Sequence, residues 1–103
     1  MQCWFNVSDP TTRLGGMILR QGVPTSRANA LHFVNVMGST SDRFDVPPGT
    51  YRYEFEIETD AKFDLTLFVD GARQDTEPSE FDPQDEGMGD AARVGRVALF
   101  TVG

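Results

Sequence analysis

Residues 50–58 read TYRYEFEIE and alternate without a fault: Tyr51, Tyr53, Phe55 and Ile57 fall on one face, Arg52, Glu54, Glu56 and Glu58 on the other. A period of two is the signature of a half-buried β-strand. A slip of one residue would turn all four apolar side chains into water, so the face is strongly specified. The strand is preceded by Val46-Pro47-Pro48-Gly49, where two fixed φ angles and a glycine make a turn that no ladder tolerates. Residues 62–70 alternate again, with Phe63, Leu65, Leu67 and Val69 on the core side, and end in Asp70-Gly71. Asp-Gly between extended runs predicts a tight hairpin, with residues 72–75 as a short polar return arm.

Further strand-like runs lie at residues 2–7 and 17–21, separated by the turn residues Ser8-Asp9-Pro10 and Gly15-Gly16, and are expected to form a first hairpin. Residues 30–37 (ALHFVNVM) are apolar on both faces, which predicts a central strand. Residues 43–46 form a short strand, and residues 94–102 a long closing one. Only residues 24–30 and 86–93 could supply a turn or two of helix, and Gly87 and Gly89 weaken the second. Seven to eight short strands without helical crossovers predict one all-β domain over residues 1–103. The expected form is an antiparallel β-sandwich, immunoglobulin-like or a small jelly roll, with a barrel as the alternative. With 103 residues and 39% hydrophobic side chains, the chain can bury one core and not two.

Charge is concentrated. Sixteen acidic and nine basic residues give a net charge of −7, and residues 75–90 hold seven of the carboxylates and no Lys or Arg. The rest of the chain is balanced, nine against nine. This Pro-, Gly- and Asp-rich stretch reads as an acidic loop. Without a Lys/Arg surplus, nucleic acids and anionic membranes are disfavoured partners. No apolar run reaches the roughly 20 residues of a membrane helix, and the first residues lack a signal-peptide pattern. A soluble protein is expected, with no address for its location.

No catalytic constellation is visible, and the expectation is a protein that is not an enzyme and carries no cofactor. His32, the only histidine, reads as a structural imidazole, and Cys3 alternates with Phe5 and Val7 as a small core residue would. One cysteine excludes an intrachain disulfide framework. The glycines form no phosphate-binding pattern. Residues 82–87 imitate the start of a calcium loop, but Arg93 stands where the bidentate glutamate belongs, so no metal site is assigned. An irregular calcium site from Asp82, Asp85, Glu86 and Asp90 is the remaining option. Trp4 could lie exposed as a stacking platform for a sugar, whereas Tyr51 and Tyr53 count as core. Asn6-Val7-Ser8 matches a glycosylation triplet that lacks a secretory context.

The lead-in Val-Pro-Pro-Gly-Thr-Tyr and the strand after it, residues 44–57, resemble a feature of several extracellular sandwich modules, including prealbumin-like and bacterial pre-peptidase C-terminal domains. The resemblance covers about a seventh of the chain and a generic turn, so it implies no function and no site residues here. From the residues themselves, the leading expectation is a structural or interaction protein. It would be an accessory or decoration subunit that docks to itself or to another protein with a basic surface, as an oligomer or assembly component. The docking residues would be Glu77, Glu80, Phe81, Asp82, Asp85, Glu86 and Met88; Phe81 and Met88 either tuck the loop onto the body, the commoner arrangement, or serve as apolar anchors. The alternative is a carbohydrate- or small-ligand-binding module, with or without calcium.

Overall fold

The computed structural model describes residues 1–37, 40–58, 61–82 and 94–103. The strands are β1 (Gln2–Val7), β2 (Arg13–Arg20), β3 (His32–Met37), β4 (Thr40–Ser41), β5 (Phe44–Asp45), β6 (Gly49–Ile57), β7 (Phe63–Val69), β8 (Ala72–Phe81) and β9 (Val94–Val102), with a 3₁₀ turn at Arg27–Asn29. They form one antiparallel sheet in the order β4-β3-β2-β6-β9-β8-β7-β1-β5. Its two outermost strands, β4 and β5, are consecutive in the chain, with only Asp42 and Arg43 between them. Taken as one short stave, they make an eight-sided sheet that closes almost completely into a barrel.

The expected two-layer sandwich is therefore wrong. Alternation tells which side chains point inward, and a sandwich and a barrel share that property. Closure depends on β8. Between Asp64 and Thr66 of β7 the register shifts, because β8 carries the extra residues Thr76, Glu77, Pro78 and Ser79 opposite Leu65. This bulge leads β8 off β7 and lets Glu77 pair with Leu99 of β9. Pro78, which has no N–H to offer, sits where the ladder is interrupted. The buried Thr76 hydroxyl donates to the Pro78 carbonyl at 2.6 Å.

Strands β6 and β7 carry the expected alternation: Tyr51, Tyr53, Phe55, Ile57, Phe63, Leu65, Leu67 and Val69 are all buried. Asp70 and Gly71 take φ of 49° and 88°, the primed turn of a two-residue hairpin. The return arm is longer than expected, ten residues rather than four, and so residues 75–81 belong to a strand and not to a loop. The first hairpin does not form either. β1 pairs with β7 and β5, whereas β2 pairs with β3 and β6. β3 is not central: beyond it lies only the two-residue β4, and its outer face leaves Phe33 and Met37 each 46% exposed. Its doubly apolar sequence reflects an apolar outer surface, not a second buried layer. Residues 86–93 lie outside the described residues.

Inside, the rings make a continuous path. Tyr51 stacks on Phe100, Phe100 meets Phe5 edge-on, Phe5 stacks on Tyr53, Tyr53 on Phe55, and Phe55 abuts Phe81, which stacks on Phe63. The buried Tyr53 hydroxyl donates to the Leu14 and Val34 carbonyls at 3.3 and 3.4 Å, and burial holds its ionisation far above the ordinary tyrosine range. The Tyr51 hydroxyl donates back to the Pro47 carbonyl at 2.5 Å, tying the Pro-Pro-Gly turn to the strand it introduces.

Gly16 sets the distance between β2 and β6. It pairs with Phe55, and a Cβ built on it would stand 2.0 Å from the Glu54 carbonyl oxygen and 2.6 Å from the Phe55 Cα. Both obstacles are backbone and cannot swing aside. Gly16→Ala is expected to lower stability by about 3 kcal/mol, whereas Gly95→Ala, which meets nothing within 4 Å, stays within about 0.5 kcal/mol of the parent. Urea unfolding midpoints at constant slope measure both.

Candidate functional site

The outer face of β3-β2-β6-β9 is ordered in cross-strand rows. One row runs Phe33, Met17, Glu54, Val97, and the next Asn35, Gly15, Glu56, Gly95. Arg13 and Met37 pair in a third, and the Glu58 amide donates to the Arg13 carbonyl at 3.1 Å. Gly15 and Gly95 bring no side chains, so the second row is a shallow trough with two gaps, one on either side of the Glu56 side chain. An added Cβ on Gly15 would meet only the Asn35 Oδ1 at 3.2 Å, and one on Gly95 would meet nothing.

Two hollows meet at Gly15. One, of about 470 Å³, is bounded by Arg13, Asn35, Met37, Asp42 and Glu58. The other, of about 390 Å³, is bounded by Met17, Glu54, Glu56, Arg96 and Val97 over Gly15, Gly16 and Gly95. Both are shallow and open to solvent. The first is stiffened at its rim. The Asn35 amide donates to the Asp42 carboxylate at 3.1 Å, the Asp42 amide to the Asn35 carbonyl at 3.4 Å, and Arg13 Nε to the Met37 sulfur at 3.2 Å.

Beside the trough lies the most tightly bound polar cluster on this face. Arg52 points outward from β6 and donates from Nε to Glu54 Oε2, from one terminal nitrogen to the Arg20 carbonyl and from the other to the Val23 carbonyl, each at 2.6 Å. Thr25 donates its hydroxyl to the same Glu54 Oε2 at 2.6 Å. These contacts hold the segment after β2 against the sheet. That segment starts with a turn in which Gly22 takes φ 93° and the Val23 amide donates to the Arg20 carbonyl at 3.3 Å. Leu19 has outward parity and pairs with Arg52, yet is fully buried. Burial works to raise the Glu54 carboxyl, but the Thr25 and Arg52 hydrogen bonds and the Arg52 charge outweigh it and hold it below its ordinary 4.5.

The residues expected to dock a partner are scattered. Glu77 and Glu80 are exposed on β8, and Glu80 forms a surface ion pair with Lys62. Asp82 is half-buried just beyond the strand. Phe81 is 4% exposed and stacked in the core, so it tucks β8 onto the body and offers no surface anchor. Asp85, Glu86, Met88 and Asp90 lie outside the described residues. Among the described residues, no group of three or more His, Cys, Asp and Glu side chains could hold a metal ion. His32 stacks on Phe44. Cys3 is buried, and its burial pushes the thiol up, as befits a core side chain.

Trp4 is no open platform. Phe68 of β7 stacks on it at 5.1 Å with planes 6° apart, and the Arg43 guanidinium lies 4.1 Å from its ring centroid, approaching from the β5 side. No helix among the described residues is long and apolar enough to cross a membrane. No protein-family model, no curated protein and no solved structure matches the chain.

Gly15-Gly16, expected as turn residues, both lie within β2 instead. The available signal was a Gly-Gly pair inside an eight-residue extended run, which marks a close backbone approach.

The Arg52 cluster has two testable consequences. Arg52→Ala is expected to lower stability by about 3 kcal/mol, since it strands the Glu54 charge and the loop carbonyls together; urea unfolding reads it. Because Glu54 ionises below its unfolded-state value, the stability it contributes is present above that value and is lost as pH falls through the folded one. Amide protection at Val23 and Ala30 should therefore fall on acidification below pH 4.5, and in Glu54→Gln this acid-dependent step should shrink.

Proposed function

We propose that this protein is a binding module for a small polyhydroxylated ligand of the carbohydrate type, taken up in the trough across β3-β2-β6-β9. The observation that carries the reading is the pair of side-chain-free positions, Gly15 and Gly95, on either side of Glu56, flanked by two rows that each mix apolar and charged side chains. The walls offer a hydrogen-bond donor from Arg13, acceptors from Asp42, Glu54, Glu56 and Glu58, and the amide of Asn35, which does both. A hydroxyl group donates and accepts, so a polyol can satisfy such a mixed lining where a purely anionic or cationic ligand cannot. Met17 and Val97 supply apolar surface for the C–H face of a sugar ring.

Binding without turnover is the proposed role. Docking through residues 75–90 is less well supported, because its aromatic anchor, Phe81, belongs to the core. A glycan array run on the full chain, with calcium and with chelator, tests the reading. At least one glycan should bind, and Gly95→Leu, which fills the trough from a position with open space above it, should cut the affinity at least tenfold with an unchanged unfolding midpoint. Glycan binding that persists undiminished in Gly95→Leu would move the site elsewhere.

A further inference from the structure

Glu54 belongs to two structures at once. Its carboxylate is part of the cluster that holds the segment after β2, and it also borders the trough. Both of its hydrogen bonds fall on the same atom, Oε2, which takes the Thr25 hydroxyl and Arg52 Nε at 2.6 Å each. Among the described residues Oε1 accepts nothing. In its cross-strand row Glu54 stands between Met17 and Val97, two apolar side chains. The side chain is only 22% exposed.

We propose that Glu54 is a specificity-determining residue of the trough: held in place through Oε2, it presents Oε1 as a fixed acceptor for one hydroxyl of the bound sugar. This inference rests on the carbohydrate reading given above. A carboxylate oxygen in a half-buried site, already oriented by two donors on its sibling atom, loses little freedom when a ligand arrives. Such a bond is charge-assisted and directional. A ligand lacking that hydroxyl leaves the oxygen desolvated and unpaired, and it is rejected more strongly than a missing apolar contact would cause. The apolar neighbours sharpen this, because Met17 and Val97 give no substitute donor.

The same geometry couples recognition to the segment after β2. A ligand hydroxyl on Oε1 favours the ionised, oriented carboxylate to which Thr25 and Arg52 are bonded. Occupancy of the trough therefore tightens the 20–25 segment, although the ligand touches none of that segment.

The experiment is a cycle between Glu54→Gln and a set of monodeoxy analogues of a glycan that binds in the array. Gln can still accept from Arg52 and Thr25 through its carbonyl oxygen, and it then turns an NH₂ donor toward the trough. Glu54→Gln is expected to weaken the parent glycan by about 10- to 100-fold. One deoxy analogue should lose about the same factor against the native protein and lose almost nothing further against Glu54→Gln. A merely structural role would weaken all analogues alike and leave no such coupling. Amide exchange supplies a second readout: saturating glycan should raise protection at Val23 in the native protein and not in Glu54→Gln.

A glycan that binds Glu54→Gln and the native protein equally overturns the inference while leaving the carbohydrate reading in place, as does an equal loss across every deoxy analogue. Absence of any glycan binding overturns both.

Discussion

The aromatic side chains of β1, β6, β7, β8 and β9 meet ring to ring through the middle of the molecule, from Tyr51 and Phe100 at one end to Phe81 and Phe63 at the other. Phe44 joins this path from β5, against Phe5, Phe100 and the imidazole of His32. Each ring buries a large apolar area, and together they fill a small barrel to its axis. Among the described residues, a polar group that enters this interior, the Tyr53 hydroxyl, satisfies backbone carbonyls there.

Adjacent glycines of β2 have opposite duties. Gly16 faces inward and allows the β2 and β6 backbones to approach more closely than any Cβ would permit. Gly15 faces outward and keeps the trough open between the Asn35 and Glu56 side chains. The charged residues of β6 divide in the same way. Arg52 is spent on Glu54, on the Arg20 carbonyl and, in the segment after β2, on the Val23 carbonyl and Thr25 hydroxyl, while Glu56 and, just beyond the strand, Glu58 continue along the trough. Glu54 stands at the boundary. An ion pair as dry as Arg52–Glu54 contributes little net stability compared with an apolar contact, so its presence is better explained by what it orients.

Closure of the barrel places this face where it is. Strand β8 begins on β7, leaves it at the Thr76–Ser79 bulge and reaches β9 through a single pair, Glu77 with Leu99. At the opposite seam the chain crosses from β4 to β5 over Asp42 and Arg43, and each of those residues acquires a role from the crossing. Asp42 bonds back to Asn35 beside the trough, and Arg43 covers Trp4. A flat two-layer arrangement would have left both at a loose corner.

Strands β6, β7 and β9, the Asp70-Gly71 hairpin and the Pro-Pro-Gly turn were legible in the amino-acid sequence, because each rests on local chemistry: period-two alternation or a dipeptide with one preferred turn. The place of Phe81 was legible only as one of two readings, the one in which it tucks onto the body. Its neighbours are Glu, Asp and Pro, and only long-range pairing to Phe63 and Phe55 makes it core. The partners of β1, the marginal position of β3 and the trough could not be read in advance. These depend on which strands become neighbours, and neighbour choice is settled by contacts between residues far apart in the chain. Local pattern determined which side chains turn inward; only the closed sheet decided which outward ones stand side by side.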